Sequence, residues 1–334
     1  MRRRAIGAAL APLPAGPGVW AQAAGVRRVG LLSVTETYTA WPEWHAFVDE
    51  LARLGFVEGR NVVFVARHAG TYDEPRSSQR LLVAAAELAA QHVDVIYAVE
   101  VVATARAARQ ATPSIPIIFD RSWFDPVEIG LVSSLARPGG NVTGNAVLGL
   151  ELETKAIEAL VETVGRAAPI GIVQSPALRS WPVYGQLDNQ RRSIERALGV
   201  TLQIVEVDNV RQLATQLAIL RRQGVRAAKI EDPEEFAQRR EEVAAAFVTH
   251  RLAALSTEPD FAHAGLMIGL GWDATEIARR SASYVQRVLR GTRPADLPVQ
   301  RVSKFRLVVN RRTARAIGIA APAARLARAD EVIE

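Results

Sequence analysis

The sequence predicts an α/β protein built as two consecutive lobes, each a doubly wound parallel sheet. Three observations predict it. Short β-branched runs alternate with longer segments of helical period from Gly25 onward, the pattern restarts after Gly144, and 334 residues are enough for two cores. Hydrophobic residues make 49% and charged residues 23%, the balance of a chain that buries its apolar surface rather than staying disordered. With 23 glycines and 17 prolines, no linker-dominated or collagen-like composition is present.

In the first half, Val29 to Leu32 reads as a buried strand. It is followed by a helix from Pro42 to Leu54, with Trp44, Phe47, Val48 and Leu51 on one face and Gly55 as its stop. Strand Asn61 to Val65, helix Pro75 to Gln91, strand Val93 to Ala98, helix Ala103 to Ala111, strand Ile115 to Phe119 and helix Val127 to Ala136 follow, up to Pro138-Gly139-Gly140. Such βα repetition requires parallel strands with right-handed crossovers. After Gly144 come helix Leu152 to Val164, strand Ile170 to Val173, helix Tyr184 to Leu198, strand Thr201 to Val207 and helix Val210 to Gln223. Strand Ala227 to Ile230, helix Glu234 to Arg251 and short strands near Ala254 and at Gly265 to Ile268 continue it. Helix Thr275 to Arg290, strand Phe305 to Val309 and a helix at Arg315 to Ile317 close the chain.

Composition excludes several classes. There is no cysteine, so disulfides, thiol catalysis and thiolate metal sites are ruled out. The formal charge of +6 with a pI near 10.1 invites a nucleic-acid reading, yet the arginines fall as scattered pairs on helical segments that also carry Glu, and we read no nucleic-acid partner. Arg2-Arg3-Arg4, a short apolar stretch and Ala21-Gln22-Ala23 form an export signal over residues 1–23, although Pro12, Pro14 and Pro17 interrupt it. Cleavage there would remove three arginines and no acids, leaving +3. The expected location is therefore the periplasm.

No enzyme signature stands out: there is no G-x-S-x-G, no P-loop and no H-E-x-x-H. The glycine-rich Gly139 to Gly144 follows a helix and precedes a strand, the reverse of a phosphate-binding order, and reads as a turn. His45, His68, His92, His250 and His263 lack ligand spacing, so neither a metal nor a cofactor is expected. In open parallel sheets ligands bind beyond the carboxyl ends of the strands. The candidate ligand contacts there are Ser33, Thr35, Tyr38, Trp41, Glu100, Ser122, Trp123 and Asp125 in the first lobe, and Ser175, Trp181, Glu231 and Glu258 in the second. Hydroxyls can hold a carboxylate, aromatic faces a ring or cation, and acids an ammonium.

Several long strings resemble one family. Leu51 to Val62 (LARLGFVEGRNV), Asp125 to Gly144 (DPVEIGLVSSLARPGGNVTG), Gly291 to Pro298 (GTRPADLP), Lys304 to Asn310 and Ala327 to Glu334 are similar to the tryptophan/tyrosine-type substrate-binding proteins of ABC transporters. The resemblance spans essentially the whole chain. It implies a type I periplasmic-binding-protein fold with a three-strand hinge, a small-molecule ligand in the cleft, a membrane ABC permease as partner, and no enzymatic activity. It also implies lobes of 26–145 plus 271–298 and of 146–270 plus 299–334. Where relatives often carry small residues after the third strand this chain has Glu100-Val101-Val102, and after the second lobe's third strand Glu231-Asp232. The added negative charge favours an amine-bearing ligand over a simple aromatic amino acid, unless Arg121 or another arginine already neutralises it. The rival readings are a cleft enzyme using Glu100, Glu231 and Glu258 as acid and base, and a ligand-sensing module for a signalling partner.

Overall fold

The computed structural model describes residues 25–334 except 71–76, 148, 181–183, 232–233 and 303. The export signal expected over 1–23 and the candidate Trp181 lie outside the described residues. Strands β1 (Arg27–Thr35), β2 (Val62–Gly70), β3 (Val95–Ala98), β4 (Ile117–Ser122) and β5 (Val142–Ala146) open the chain. Next come β6 (Ile170–Gln174), β7 (Leu202–Glu206), β8 (Ala227–Ile230), β9 (Ala253–Ser256) and β10 (Ile268–Gly271). Finally come β11 (Gln300–Arg301), β12 (Arg306–Asn310) and β13 (Glu331–Ile333). They form two sheets, ordered β11-β5-β4-β3-β1-β2 and β13-β12-β10-β9-β8-β6-β7, in which every pairing is parallel except β10 with β12.

The central strands are apolar almost without interruption because helices cover both faces of each sheet. The principal helices are α1 (Pro42–Arg53), α2 (Ser77–Ala90), α3 (Val102–Ala111), α4 (Gly149–Val164), α5 (Tyr184–Leu198) and α6 (Val210–Arg222). The short α7 (Glu234–Gln238) precedes α8 (Arg240–Thr249) and α9 (Asp260–His263), then α10 (Ala274–Leu289), α11 (Arg311–Ile317) and α12 (Ala323–Leu326). One face of the first sheet packs on α2 and α3 and the other on α1 and α10. The second sheet lies between α4 with α11 and α6 with α8.

Helix α10 follows the second lobe's strands in sequence yet packs on the first lobe. Its stripe of Ala278, Ala282, Tyr284, Val285, Val288 and Leu289 joins Val29, Phe47, Tyr97 and Ile118 in one core, each large apolar side chain contributing roughly 1.5–3 kcal/mol of burial. Asp273 starts this helix, its carboxylate accepting from the N–H of Glu276 at 3.0 Å. The chain passes between the sheets three times, after β5, after β10 and after β11. Gln300–Arg301 still pairs with β5 in the first sheet, whereas the sequence reading assigns 299–334 to the second lobe.

Two further elements differ from expectation. Residues 127–136 form turns and bends instead of a helix. The N–H groups of Ile129, Gly130 and Leu131 close one turn onto Asp125, Val127 and Pro126. Gly130, at φ +69°, then turns the backbone out of the helical region. The helix expected from Glu234 to Arg251 is divided at Arg239, whose φ of −118° and ψ of +33° lie outside helical geometry.

Candidate functional site

The carboxyl ends of β1, β3 and β4 carry most of the first lobe's candidates, and most have their polar atoms turned inward. Ser33 donates to the carbonyl of Thr35 at 2.8 Å, and Ser122 to that of Phe124 at 2.6 Å. The Asp125 carboxylate accepts from the N–H of Val127 at 2.8 Å, capping the turn described above. Tyr38 is buried in the core under α1 and lies 5.3 Å from half-buried Trp41, ring centre to ring centre.

Glu100 is the unusual residue. It is a non-glycine residue at φ +74°, a region that costs an L-residue roughly 1–2 kcal/mol. That turn swings its buried side chain back to the end of β1. There one carboxylate oxygen accepts from the N–H groups of Val34 and, at 3.2 Å, of Thr35, while the other accepts from the Thr35 hydroxyl at 2.8 Å. Burial pushes its carboxyl up to about 7, against the pull of those three donors. The same turn aims the Glu100 N–H at the carboxylate of Asp120.

Asp120 is itself buried, with its carboxyl pushed up to about 6 by desolvation although Arg121 and two backbone N–H groups oppose the rise. Arg121 Nε lies 3.3 Å from Asp120 Oδ2. Burial acts to lower the Arg121 guanidinium, but Asp120, Tyr38, Glu43 and Glu258 outweigh it and hold it above its ordinary value. Around this pair the Tyr38 and Tyr97 hydroxyls, Asp120 Oδ1, Arg121 Nε and Asn145 Oδ1 are buried without a well-formed hydrogen-bond partner among the described residues. All of these atoms are buried, and the Tyr97 hydroxyl faces those of Tyr38 and Ser281 inside the lobe.

The second lobe presents a charge-balanced network instead, although Glu153 Oε2 is ion-paired there without a well-formed hydrogen bond. Lys229 on β8 and Arg191 on α5 are buried with Glu153 of α4. Lys229 Nζ is 2.8 Å from Glu153 Oε2 and also donates to Glu231, while Arg191 bonds Glu231 at 2.7 Å, Gln174 at 2.7 Å and Glu153 at 3.3 Å. Burial pulls Lys229 down and Glu231 up, but the mutual attraction outweighs it, leaving Lys229 above and Glu231 below their ordinary values. Two cations and two anions balance. Ser175 is half-buried just beyond β6.

Glu258 differs from both other acids. Its side chain is solvent-exposed, and its N–H donates to Ser256 at 2.9 Å. Its carboxyl is nevertheless raised, first by desolvation from the protein around it and then by Glu43 and Asp260, with Arg121 and Arg240 opposing. Arg121 and Glu43 belong to the first lobe and Glu258 to the second, so opposite carboxyl edges face each other closely enough to share a field.

Trp123 serves the connection between the lobes. Its ring packs on the second lobe's core and meets Trp272 edge to face at 5.3 Å. A Cβ on Gly149 would come within 2.3 Å of it, which is why the first residue of α4 has no side chain. The Trp123 carbonyl accepts from the Gly149 N–H at 2.9 Å. Among the described residues no cluster of His, Asp or Glu could hold a metal ion, and no helix is long and apolar enough to cross a membrane. Sequence reasoning passed over Arg191, Lys229 and Glu153; a lysine inside the four-residue apolar strand Ala227–Ile230 was the available signal.

The architecture of two parallel-sheet lobes joined by three crossings is that of type I periplasmic binding proteins. The ABC transporter substrate binding protein family matches residues 45–333, and the chain belongs to it. A tyrosine-binding protein of Clostridioides difficile (strain R20291) is 22% identical over 298 residues, covering 87% of this chain and 81% of its own length. Among solved structures, a conserved domain protein from Vibrio cholerae superposes with a TM-score of 0.75 at 24% identity, over 92% of this chain and 99% of that one. The ABC domain from Streptococcus pneumonia in complex with L-Trp does so with a TM-score of 0.73 at 21% identity, over 92% and 100%.

Proposed function

We propose that the protein is an exported solute receptor that captures a small amine-bearing or amino-acid-like molecule between its lobes and presents it to an ABC permease, doing no covalent chemistry itself. The observation that carries this reading is that Arg121 and Glu43 of one lobe and the Glu258 carboxylate of the other lie near enough to act on one another's charge. Arg121 is already engaged with Asp120, so the facing edges hold more acid than base. A bound ammonium would relieve that imbalance and favour closure of the lobes over it. The tyrosine-binding and L-Trp-bound relatives support a ligand of amino-acid size. The commitment of Glu100 and Glu231 to internal partners weighs against their use as a catalytic acid and base.

The test is calorimetric titration of the purified protein with a panel of amino acids and arylalkyl amines. Saturable one-to-one binding without turnover is expected. Chemical conversion of a bound compound, or no binding across the panel, would sink the reading. For export, N-terminal sequencing from the native host is expected to begin at Ala24.

A further inference from the structure

The groups that hold the Glu100 carboxylate are those that would hold a ligand's carboxylate. Two successive backbone N–H groups and a hydroxyl, those of Val34 and Thr35, converge at the carboxyl end of β1, where a parallel sheet receives its ligands. A receptor for an α-amino acid needs such a cradle for the acid and an acidic group for the amine. Here the cradle is filled from within, by a side chain on the neighbouring strand end. The backbone adopts an uncommon left-handed conformation to put it there.

Resting on the reading of the cleft as a solute site, we propose that Glu100 is a built-in substitute for a ligand carboxylate and is the residue that sets specificity. It closes the anion subsite to α-amino acids and commits the cleft to amines that lack a carboxylate. A ligand carboxylate arriving at the occupied cradle would meet a second carboxylate and no free donor, with Asp120 close behind it. An arylalkyl amine meets no such repulsion. Its ammonium finds Glu43 and Glu258, and its ring finds the half-buried face of Trp41.

Replacement of Glu100 by glycine empties the cradle and relieves the left-handed backbone. The first experiment is thermal unfolding of the parent, Glu100→Gly and Glu100→Gln in rising sodium acetate, with sodium chloride as the ionic-strength control. Acetate is expected to raise the Tm of Glu100→Gly by roughly 2–4 °C and to leave the parent and Glu100→Gln unmoved, because both still carry a side chain in the cradle. If Glu100→Gly does not fold, Glu100→Ser is measured in the same way. The second experiment titrates tyramine against L-tyrosine and tryptamine against L-tryptophan. The parent is expected to prefer the amine by at least about tenfold, and Glu100→Gly to narrow or reverse that ratio.

A folded Glu100→Gly that answers acetate no more than the parent, or a parent that prefers the amino acid, overturns the proposal. An acetate response in Glu100→Gly with no binding of the four organic probes by either protein would uphold the internal carboxylate. It would instead count against the solute-receptor reading.

Discussion

The two carboxyl edges solve one problem in opposite ways. Each places two acids at the end of a buried parallel sheet: Glu100 and Asp120 in the first lobe, Glu153 and Glu231 in the second. The second lobe supplies a buried cation for each acid, and the charges cancel inside the protein. The first supplies a single arginine, four backbone N–H groups and one hydroxyl, and keeps its acids above their ordinary values. The second edge is charge-balanced within the protein, whereas the first holds two buried acids against one cation.

The comparison breaks most visibly at Lys229. Lys229→Met leaves Glu153 and Glu231 with Arg191 alone, and a loss of about 3–5 kcal/mol is expected in urea unfolding. A loss under about 1 kcal/mol would mean that the cluster is not the tight, dry network described. The first lobe should instead reveal itself through pH. Glu100 and Asp120 have folded values above the ordinary carboxylate range, so the folded state holds protons that the unfolded state releases. Their contribution to stability is therefore fully present below about pH 4 and is lost as pH rises through about 7. Glu100 alone accounts for roughly 2–3 kcal/mol of that decline, and Glu100→Gln should flatten the profile measured by thermal melts across this window. A parent equally stable at both ends would refute the picture of two buried acids held against one cation.

Smaller effects sharpen the contrast. The Tyr38 hydroxyl is buried without a well-formed partner, so Tyr38→Phe should leave the ligand-free protein unchanged or more stable by up to about 1 kcal/mol. Destabilisation beyond about 1 kcal/mol would show that the hydroxyl already has its partner. Smallest of all is the exposed Arg192 with Asp188 on α5. Arg192→Ala should move stability by less than about 0.5 kcal/mol, although it is the immediate neighbour of the buried Arg191.

Much of the fold was legible because buried parallel strands and amphipathic helices have different periods, and the alternation survives even where boundaries shift. The segment 127–136 escaped because apolar spacing there satisfies a helix locally, while Gly130 and the contact from the Ser133 N–H to the Pro138 carbonyl decide otherwise. At the site, order along the chain was enough to put Glu100, Glu231 and Glu258 at strand ends. It could not show what each acid touches. Arg191 lies 40 positions before Glu231 and meets it only once α5 has packed against α4. Arg121, weighed in the sequence as a neutraliser of these acids, has Asp120 as its nearest carboxylate. The left-handed backbone at Glu100 has no composition signature, since glycine is the residue that normally announces it.

The path of the chain through the two sheets also dictates an order of completion. Strands β6 to β10 form one continuous segment, so the second lobe except β12, β13 and the C-terminal helices α11 and α12 can assemble as soon as that segment is made. The first lobe has no such option. The face formed by Val29, Phe47, Tyr97 and Ile118 stays bare until α10 arrives, and α10 ends at Leu289, with the whole of β6 to β10 in between. During synthesis this apolar face must wait for more than a hundred further residues before the helix that covers it exists. A chain cut before Ala274 would keep every strand of the first sheet but β11 and still lack the helix that closes its core.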